Sequence, residues 1–389
     1  MDLGCYHIPL LTAVLAIALL TVFVYQMYYY ARYMAGVNRY YRKKRKTPAL
    51  DAASKTKDYP PASVIICARN EGENLKKFLP KVLEQSYGTY EVIVVNDASE
   101  DNTQDVLERF QLQYPHLRTT FIPHDARVRS HKKLALTLAV KSAKYEYLVL
   151  TDADCCPASQ NWLSGIMSGF HNEEREIVLG YGAYYEHPAL LNRLIAYDTL
   201  FNGLQYLGMA YARHPYMGVG RNLAYRKSTF VRNHGFEGLQ NERAGDDDLF
   251  VNKVANRCNT TIAVMPESLT WSVPKSTFGE WIQQKRRHLS VAPKYKFSTR
   301  VQLLLEPLTR GLFYALFIAL TVAGDMWIRL FAGGLLLIRW IVRMLILRIS
   351  ARNLQVRKVG VEASLFDIFL PLNSLWLMFY NRLHKPQRW

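Results

Sequence analysis

The sequence predicts an α/β domain with a mainly parallel sheet, set between an N-terminal transmembrane helix and a C-terminal membrane region. Three observations predict it. From residue 61 to about 150, short apolar strands alternate with segments of helical spacing, the pattern of crossover units that build a parallel sheet. Ile8 to Ala31 contains no charged residue and is long enough to cross a hydrocarbon core as a helix. After about residue 295 the chain turns apolar again.

The elements follow in order. No Lys or Arg precedes Ile8, and the apolar run exceeds the core of a cleavable leader, so residues 1–31 read as a retained anchor. Residues 32–60 form a basic juxtamembrane linker, with Arg32, Arg39, Arg42, Lys43, Lys44, Arg45 and Lys46 and then the polar run TPALDAASKTKDYP. Such charges stay on the cytoplasmic side, which places the following domain in the cytosol and makes the chain a multi-pass protein of the cell membrane. Strands are expected at 63–68, 91–95, 119–122 and 145–150, with helices over 73–86, 103–110 and 133–143. The second half of the domain, to residue 295, is less regular. A helix over 188–211 is interrupted by Gly203 and Gly208, and a short one runs from Asp247 to Asn256. Residues 296–389 form the membrane region, with spans at about 308–324 and 327–347. The last apolar segment, about 364–381, contains Asp367 and Pro371 and reads as a helix lying in the interface.

Composition narrows the function. A net charge of +17 suits contact with anionic membrane lipids, and because many of the charges flank apolar segments, nucleic acid is not expected as a partner. The cysteines Cys5, Cys67, Cys155, Cys156 and Cys258 are odd in number and irregular in spacing, which fits free thiols rather than a disulfide framework or a zinc site.

Five stretches carry chemistry. The strand at 145–150 ends in Thr151-Asp-Ala-Asp154. Residues i and i+2 of a strand point to one side, so Asp152 and Asp154 can aim at one point. Two carboxylates there suit Mg²⁺ or Mn²⁺, and Mg²⁺ completes its shell with phosphate oxygens and water, which implies a nucleotide diphosphate. A solvated loop is the bland alternative. Asp97 closes the strand at 91–95 as either a turn residue or an acceptor for a base or ribose. Lys132 and Lys133 open a helix, where cations oppose the dipole, so either a bound anion or a solvated basic face explains them. Asp246, Asp247 and Asp248 crowd one helix start. A cap needs one carboxylate, and a crowded one suits a general base, Asp246 or Asp247. Gln284, Arg287 and His288 share one helical side, with Arg287 either meeting the diphosphate or snorkelling towards lipid.

Taken together, Ser63 to Glu71, Val95-Asn-Asp97, Lys132 to Leu136, Asp152-Ala-Asp154, Gly220 to Arg226, Gly245 to Leu249 and Gln284 to His288 resemble a membrane-bound family 2 glycosyltransferase with a GT-A fold, a Rossmann-like nucleotide-diphospho-sugar transferase domain over residues 61–295. The resemblance implies inverting, metal-dependent transfer of a hexosyl group from a nucleotide sugar, usually a UDP-sugar. The acceptor would be a hydroxyl of a lipid-linked or glycan acceptor in cell-envelope glycan synthesis. It implies that Ala68, Asn70, Glu71, Asp97, Lys132, Lys133 and Asp152 line the nucleotide, and that Asp154 is the principal metal ligand with Asp152 assisting. Asp246 is then the first candidate base and Asp247 the second, while Arg221, Asn222, Gln284, Arg287 and His288 face the diphosphate and acceptor. Two departures stand out. Gly245 occupies the place of the family's Glu, and His288 that of a Trp, unless Gln283 and Arg286 set the register. Three rival functions remain: a processive polysaccharide synthase, a glycoside hydrolase using paired carboxylates, and a non-catalytic membrane protein that binds sugar nucleotides.

Overall fold

Alternate residues of each central strand enter different cores, and this decides the architecture. In a computed structural model that describes residues 9–46, 59–123, 130–240, 242, 244–356 and 359–384, β1 (Ala62–Ala68), β2 (Tyr90–Asp97), β3 (Leu117–Ile122) and β4 (Tyr147–Leu150) run parallel. Val64, Ile66, Val92, Val94 and Val149 face one core, with the helices Gly72–Leu83 and Thr103–Gln113. Ile65, Ile93, Val95, Leu148 and Leu150 face the other, with His131–Ser142 and Leu190–Tyr211. A strand buried on both faces must be apolar at every position, which is why these strands are legible as continuous runs. Burying each such side chain is worth about 1.5–3 kcal/mol.

Six shorter strands follow: β5 (Cys155–Pro157), β6 (Ile177–Leu179), β7 (Gly182–Tyr184), β8 (Leu223–Arg226), β9 (Thr260–Ile262) and β10 (Thr270–Ser272). The main sheet has the order β3-β2-β1-β4-β8-β6-β9, in which β8 is antiparallel to both neighbours, and a second sheet has the order β5-β10-β7. The carboxyl ends of β1, β2 and β4 therefore lie side by side, and Asn70, Asp97 and Asp152 follow directly from them.

The helix Leu190–Tyr211 is continuous, contrary to the expectation that Gly203 and Gly208 interrupt it. Both glycines are close-approach positions instead. A Cβ at Gly208 would lie 1.9 Å from the Tyr33 carbonyl oxygen, and one at Gly203 would lie 2.4 Å from the Tyr181 ring. The end of the first membrane helix and the residues just after it thus pack backbone to backbone on this helix, and Tyr29, Tyr30, Met34 and Val37 join the domain core.

Among the described residues, four helices are long and apolar enough to cross a membrane: Leu10–Met34, Phe297–Ala323, Met326–Asn353 and Ala363–Leu383. The second and third extend beyond the expected 308–324 and 327–347, and the Asp325 side chain accepts from the Ile328 N–H to start the third. Leu19, Val22, Phe313, Leu320 and Ala332 pack the first three together. In the fourth, Asp367 is fully buried and paired with Arg310, Arg339 and Arg343. Most of the linker at 47–60, together with Cys5, Lys385 and Arg388, lies outside the described residues.

Candidate active site

Two backbone kinks shape the rim beyond β1 and β2. Asn70 and Ala98 both adopt left-handed φ, 55° and 48°, just past β1 and β2. The Asn70 N–H donates to Ser99 Oγ (3.0 Å), and the Glu100 N–H donates to Asn70 Oδ1 (2.8 Å), so the two strand ends are tied into one rim. Asp97 is buried there, with Oδ1 2.8 Å from His131 Nδ1. His131 was not singled out from the sequence, although it adjoins Lys132; the signal is that a buried Asp97 needs a partner.

Asp152 and Asp154 follow β4 as expected, and their ligand atoms and the Cys155 Sγ all lie within 4.8 Å of one another. Burial, then the charge of Asp152, pushes the Asp154 pKa up. Burial and the same carboxylates push the Cys155 thiol up as well, so it stays protonated and hydrogen-bonds Ser272 Oγ at 3.0 Å. The donor set is therefore two carboxylates, which suits a hard cation. Glu71 faces this pair; burial and then Asp154 and Asp152 raise its pKa.

The two helix-opening lysines part ways. Lys132 Nζ is 3.1 Å from Asp152 Oδ1 and 3.3 Å from Asp246 Oδ2, so one ammonium joins two acidic motifs 94 residues apart in the chain. Burial opposes its charge, but Asp152, Asp246 and Asp247 outweigh that and hold its pKa well above the lysine value. Lys133 is buried and donates to the carbonyls of Glu242 (2.7 Å) and Ala244 (2.8 Å). Its ammonium pins the loop that presents Asp246 and is not offered to a phosphate, which corrects its place in the nucleotide set.

The three consecutive carboxylates also differ. Asp247 caps the helix Asp248–Val254 through the Asp248 N–H (2.8 Å) and accepts from the Gly220 N–H (2.6 Å). Burial and the neighbouring Asp246 push it up to about 6. Asp248 is buried and accepts from Tyr295 OH at 2.9 Å. Burial opposes charge on Asp246 too, but Lys132 and then Lys133 hold its pKa below the carboxylate value. Gly245 has φ +85°, and a Cβ there would meet Leu249 at 2.5 Å, so the glycine in place of the family's Glu answers a conformational need.

Among the residues expected at the diphosphate, Arg221 lies over the Tyr184 ring, 4.4 Å from its centroid. Its backbone carbonyl accepts from Thr151 and Thr270 Oγ1, both at 3.1 Å. Its Nη1 is buried without a hydrogen-bond partner among the described residues. Gln284 donates to Tyr184 OH (3.1 Å), which sets the register of its helix, Phe278–Val291. Arg286 turns away to Asn381 (2.9 Å) and the His384 carbonyl (2.7 Å), so the register using Gln283 and Arg286 does not face the site. Burial lowers the Arg287 pKa, opposed by the nearby Tyr184. Burial of the imidazole among its neighbours, then the charges of Lys285, Arg287, Arg221 and Lys132, lower the His288 pKa. Asn222, in contrast, is fully buried: its amide donates to the carbonyls of Tyr181 (3.0 Å) and Ser268 (2.7 Å) and accepts from Trp162 (3.1 Å). It props the site and does not line it. Tyr184 comes from a three-residue strand with no periodicity to announce it.

The chain is similar to known proteins in sequence and in fold. Residues 63–228 match the glycosyl transferase family 2 model, and residues 147–347, more than half of the chain, match glycosyl transferase family group 2. The probable glycosyltransferase YdaM of Bacillus subtilis is 24% identical over 70% of this chain and 64% of its own length. A poly-beta-1,6-N-acetyl-D-glucosamine synthase of Staphylococcus epidermidis is 34% identical over 24% of this chain and 21% of its own. Both matches thus span less than two thirds of the relative. The mannosyltransferase PcManGT of Pyrobaculum calidifontis, solved in complex with GDP-Man and Mn2+, has the same fold: TM-score 0.57, 18% identity, 97% of this chain and 100% of that one covered. With a GT-A-like domain, membrane-length helices and family matches running through the acidic motifs, the chain belongs to glycosyl transferase family 2.

Proposed function

We propose that this chain is an inverting, metal-dependent glycosyltransferase. It moves a sugar from a nucleotide-diphosphate sugar to a hydroxyl of a lipid-linked or glycan acceptor at the cytoplasmic face of the membrane. The observation that supports this reading is Lys132, which pairs with both Asp152, next to Asp154, and Asp246, so that the proposed metal ligands and the proposed base would share one space.

Each residue then has a task. Asp97 and the tied strand ends at Asn70 and Ala98 receive the nucleoside. Bound by Asp154 and Asp152, Mg²⁺ or Mn²⁺ would supply the positive charge that offsets the departing diphosphate. Arg221, whose buried Nη1 has no hydrogen-bond partner among the described residues, donates to a phosphate oxygen, and Lys132 and Arg287 add charge from the same side. Asp246 takes the proton of the acceptor hydroxyl as it attacks the anomeric carbon from the face opposite the diphosphate. Asp246 is preferred to Asp247 because both Asp247 oxygens already accept backbone N–H groups.

The mannosyltransferase complex supports a guanosine donor and Mn²⁺ as the first to try beside UDP-sugars. The synthase named among the relatives supports repeated transfer as the second reading. The test is a panel of UDP- and GDP-sugars offered to membranes containing the full chain, with mass analysis of lipid extracts. A metal-dependent glycosylated lipid is expected. Repeated sugar additions favour the synthase, hydrolysis unaffected by EDTA favours a hydrolase, and donor binding without turnover favours the non-catalytic reading.

A further inference from the structure

The fourth membrane-length helix, Ala363–Leu383, has 21 residues and is about 30 Å long, enough to reach across a hydrocarbon core. Its contacts hold it elsewhere. Among the described residues, none of its side chains joins the apolar cluster of Leu19, Phe313, Leu320 and Ala332 that packs the first three membrane helices together. Ala363, Phe366 and Leu370 are buried in the core of the catalytic domain instead.

Both ends of the helix are tied to that domain. At its start, Glu362 Oε1 stands 3.9 Å from Arg193 Nη1, and the Phe366 ring lies 5.6 Å from the Tyr197 ring, both partners on the helix Leu190–Tyr211. At its end, Asn381 and Arg286 exchange hydrogen bonds. Arg286 Nε donates to Asn381 Oδ1 (2.9 Å), and the Asn381 amide donates to the Arg286 carbonyl (2.9 Å). The Arg286 guanidinium also lies over the Tyr380 ring, 4.6 Å from its centroid. Lys285, beside it, closes the loop by donating to both carboxylate oxygens of Asp198 at 2.9 Å, on the same helix as Arg193. A polar domain with irregular loops stays on one side of a bilayer. A helix bound to it at both ends therefore does not cross. What this helix leaves exposed is apolar: Leu365, Leu372, Trp376, Phe379 and Leu383 recur at helical spacing. Asp367, on the inner side, pairs with Arg310 and Arg339 of the second and third membrane helices, which sets the exposed stripe beside the lipid around them.

We propose that Ala363–Leu383 stays on the catalytic side, lies in the membrane interface with this stripe among the acyl chains, and is the floor on which Asn381 sets the helix Phe278–Val291. Gln284, Lys285 and Arg286 follow one another on that helix and are held at three different places, by Tyr184, Asp198 and Asn381. Three such anchors fix how the helix is turned, and with it the direction of Arg287. Asn381 is thus a positioning residue that acts through Arg286. This last step rests on the proposed function, in which Arg287 meets the diphosphate.

The test labels the full chain in sealed vesicles with a membrane-impermeant maleimide, applied from either side and read by peptide mass spectrometry. Cys258, exposed on the catalytic domain, is the native reference. Val361→Cys and Arg382→Cys should label from the same side as Cys258, and Met326→Cys, at the start of the third membrane helix, from the other. Residue 382 labelling with residue 326, or from neither side, overturns the interfacial placement. Asn381→Ala should lower kcat/KM for the donor by about 10–10²-fold, as misplacement of a charged group does. The same change should add little in an Arg287→Ala background, because the two act through one group. Asn381→Asp keeps the acceptor for Arg286 and should restore most of the loss. Additive losses, no loss in Asn381→Ala, or no rescue overturns the positioning role. A native chain without turnover rejects the transferase reading and with it the task of Asn381, while the labelling still decides where the helix lies.

Discussion

Lys132 Nζ stands 3.3 Å from Asp246 Oδ2 while holding Asp152 at 3.1 Å. The lysine keeps Asp246 ionised, because its charge outweighs the burial that would otherwise favour the acid. Lys132→Met removes that charge, and the Asp246 pKa rises. A base must be deprotonated to act, so the acidic limb of the pH–rate profile should move to higher pH. Turnover at neutral pH should fall by about 10²-fold or more, since charge stabilisation of the diphosphate is lost as well. A pH profile of kcat for both proteins checks it, and an unmoved limb would assign the base elsewhere.

Asp246 and Asp247 are adjacent but not equivalent. Asp246→Asn should cut kcat by about 10²–10⁴-fold and leave donor affinity nearly intact. Asp247→Ala loses a helix cap and the bond from the Gly220 N–H. Its main effect should be a lower thermal midpoint, on the order of 0.5–2 kcal/mol for the cap alone. Donor titration alongside single-turnover kinetics separates the two. Similar kcat losses with unchanged stability would reject the division of labour.

The Asp152/Asp154 pair gives a pH prediction of its own. Asp154 has a raised pKa from burial and from Asp152, and a carboxylate must be deprotonated to ligate. Mn²⁺ affinity should therefore weaken as pH falls through that raised value, earlier than for an ordinary aspartate. Asp154→Ala should abolish metal-dependent donor binding, and EDTA should do the same to the unaltered chain. Calorimetric titration with Mn²⁺ and each donor measures both, and metal-independent binding would count against the assignment.

What the sequence made legible follows from burial. Val92 to Val95 and Leu148 to Leu150 are buried on both faces, so their strands read as apolar runs, and Asp97 and Asp152 then fall at the carboxyl ends. Strands of three residues, such as Gly182–Tyr184, are too short to carry a period, and Tyr184 stayed hidden with them. Motifs located Lys133 and Asn222 but not their direction: both side chains point inward to carbonyls that lie far away in sequence. The choice between Arg286 and Arg287 needed a third element, because only the position of Tyr184 fixes how that helix is turned. Gly203 and Gly208 show the same limit. A glycine marks either a break or a close contact, and only the neighbour decides.

Gly208 tests how firmly the membrane part is coupled to the catalytic part. Its hydrogen faces the Tyr33 carbonyl, and a Cβ at Gly36 would in turn stand 2.7 Å from the Gly208 Cα. Neither obstacle is a flexible side-chain end, so relief requires moving the backbone. Gly208→Ala should therefore destabilise the chain, although alanine at an unobstructed helix position is stabilising by roughly 0.5–1 kcal/mol relative to glycine. Overpacking typically costs about 1–3 kcal/mol, which outweighs that gain. Gly311→Ala is the matched control, since nothing lies near its Cβ position and it too sits in a helix. Thermal midpoints in one detergent should fall for Gly208→Ala and hold or rise for Gly311→Ala. Equal midpoints would mean that the first membrane helix is not braced against Leu190–Tyr211.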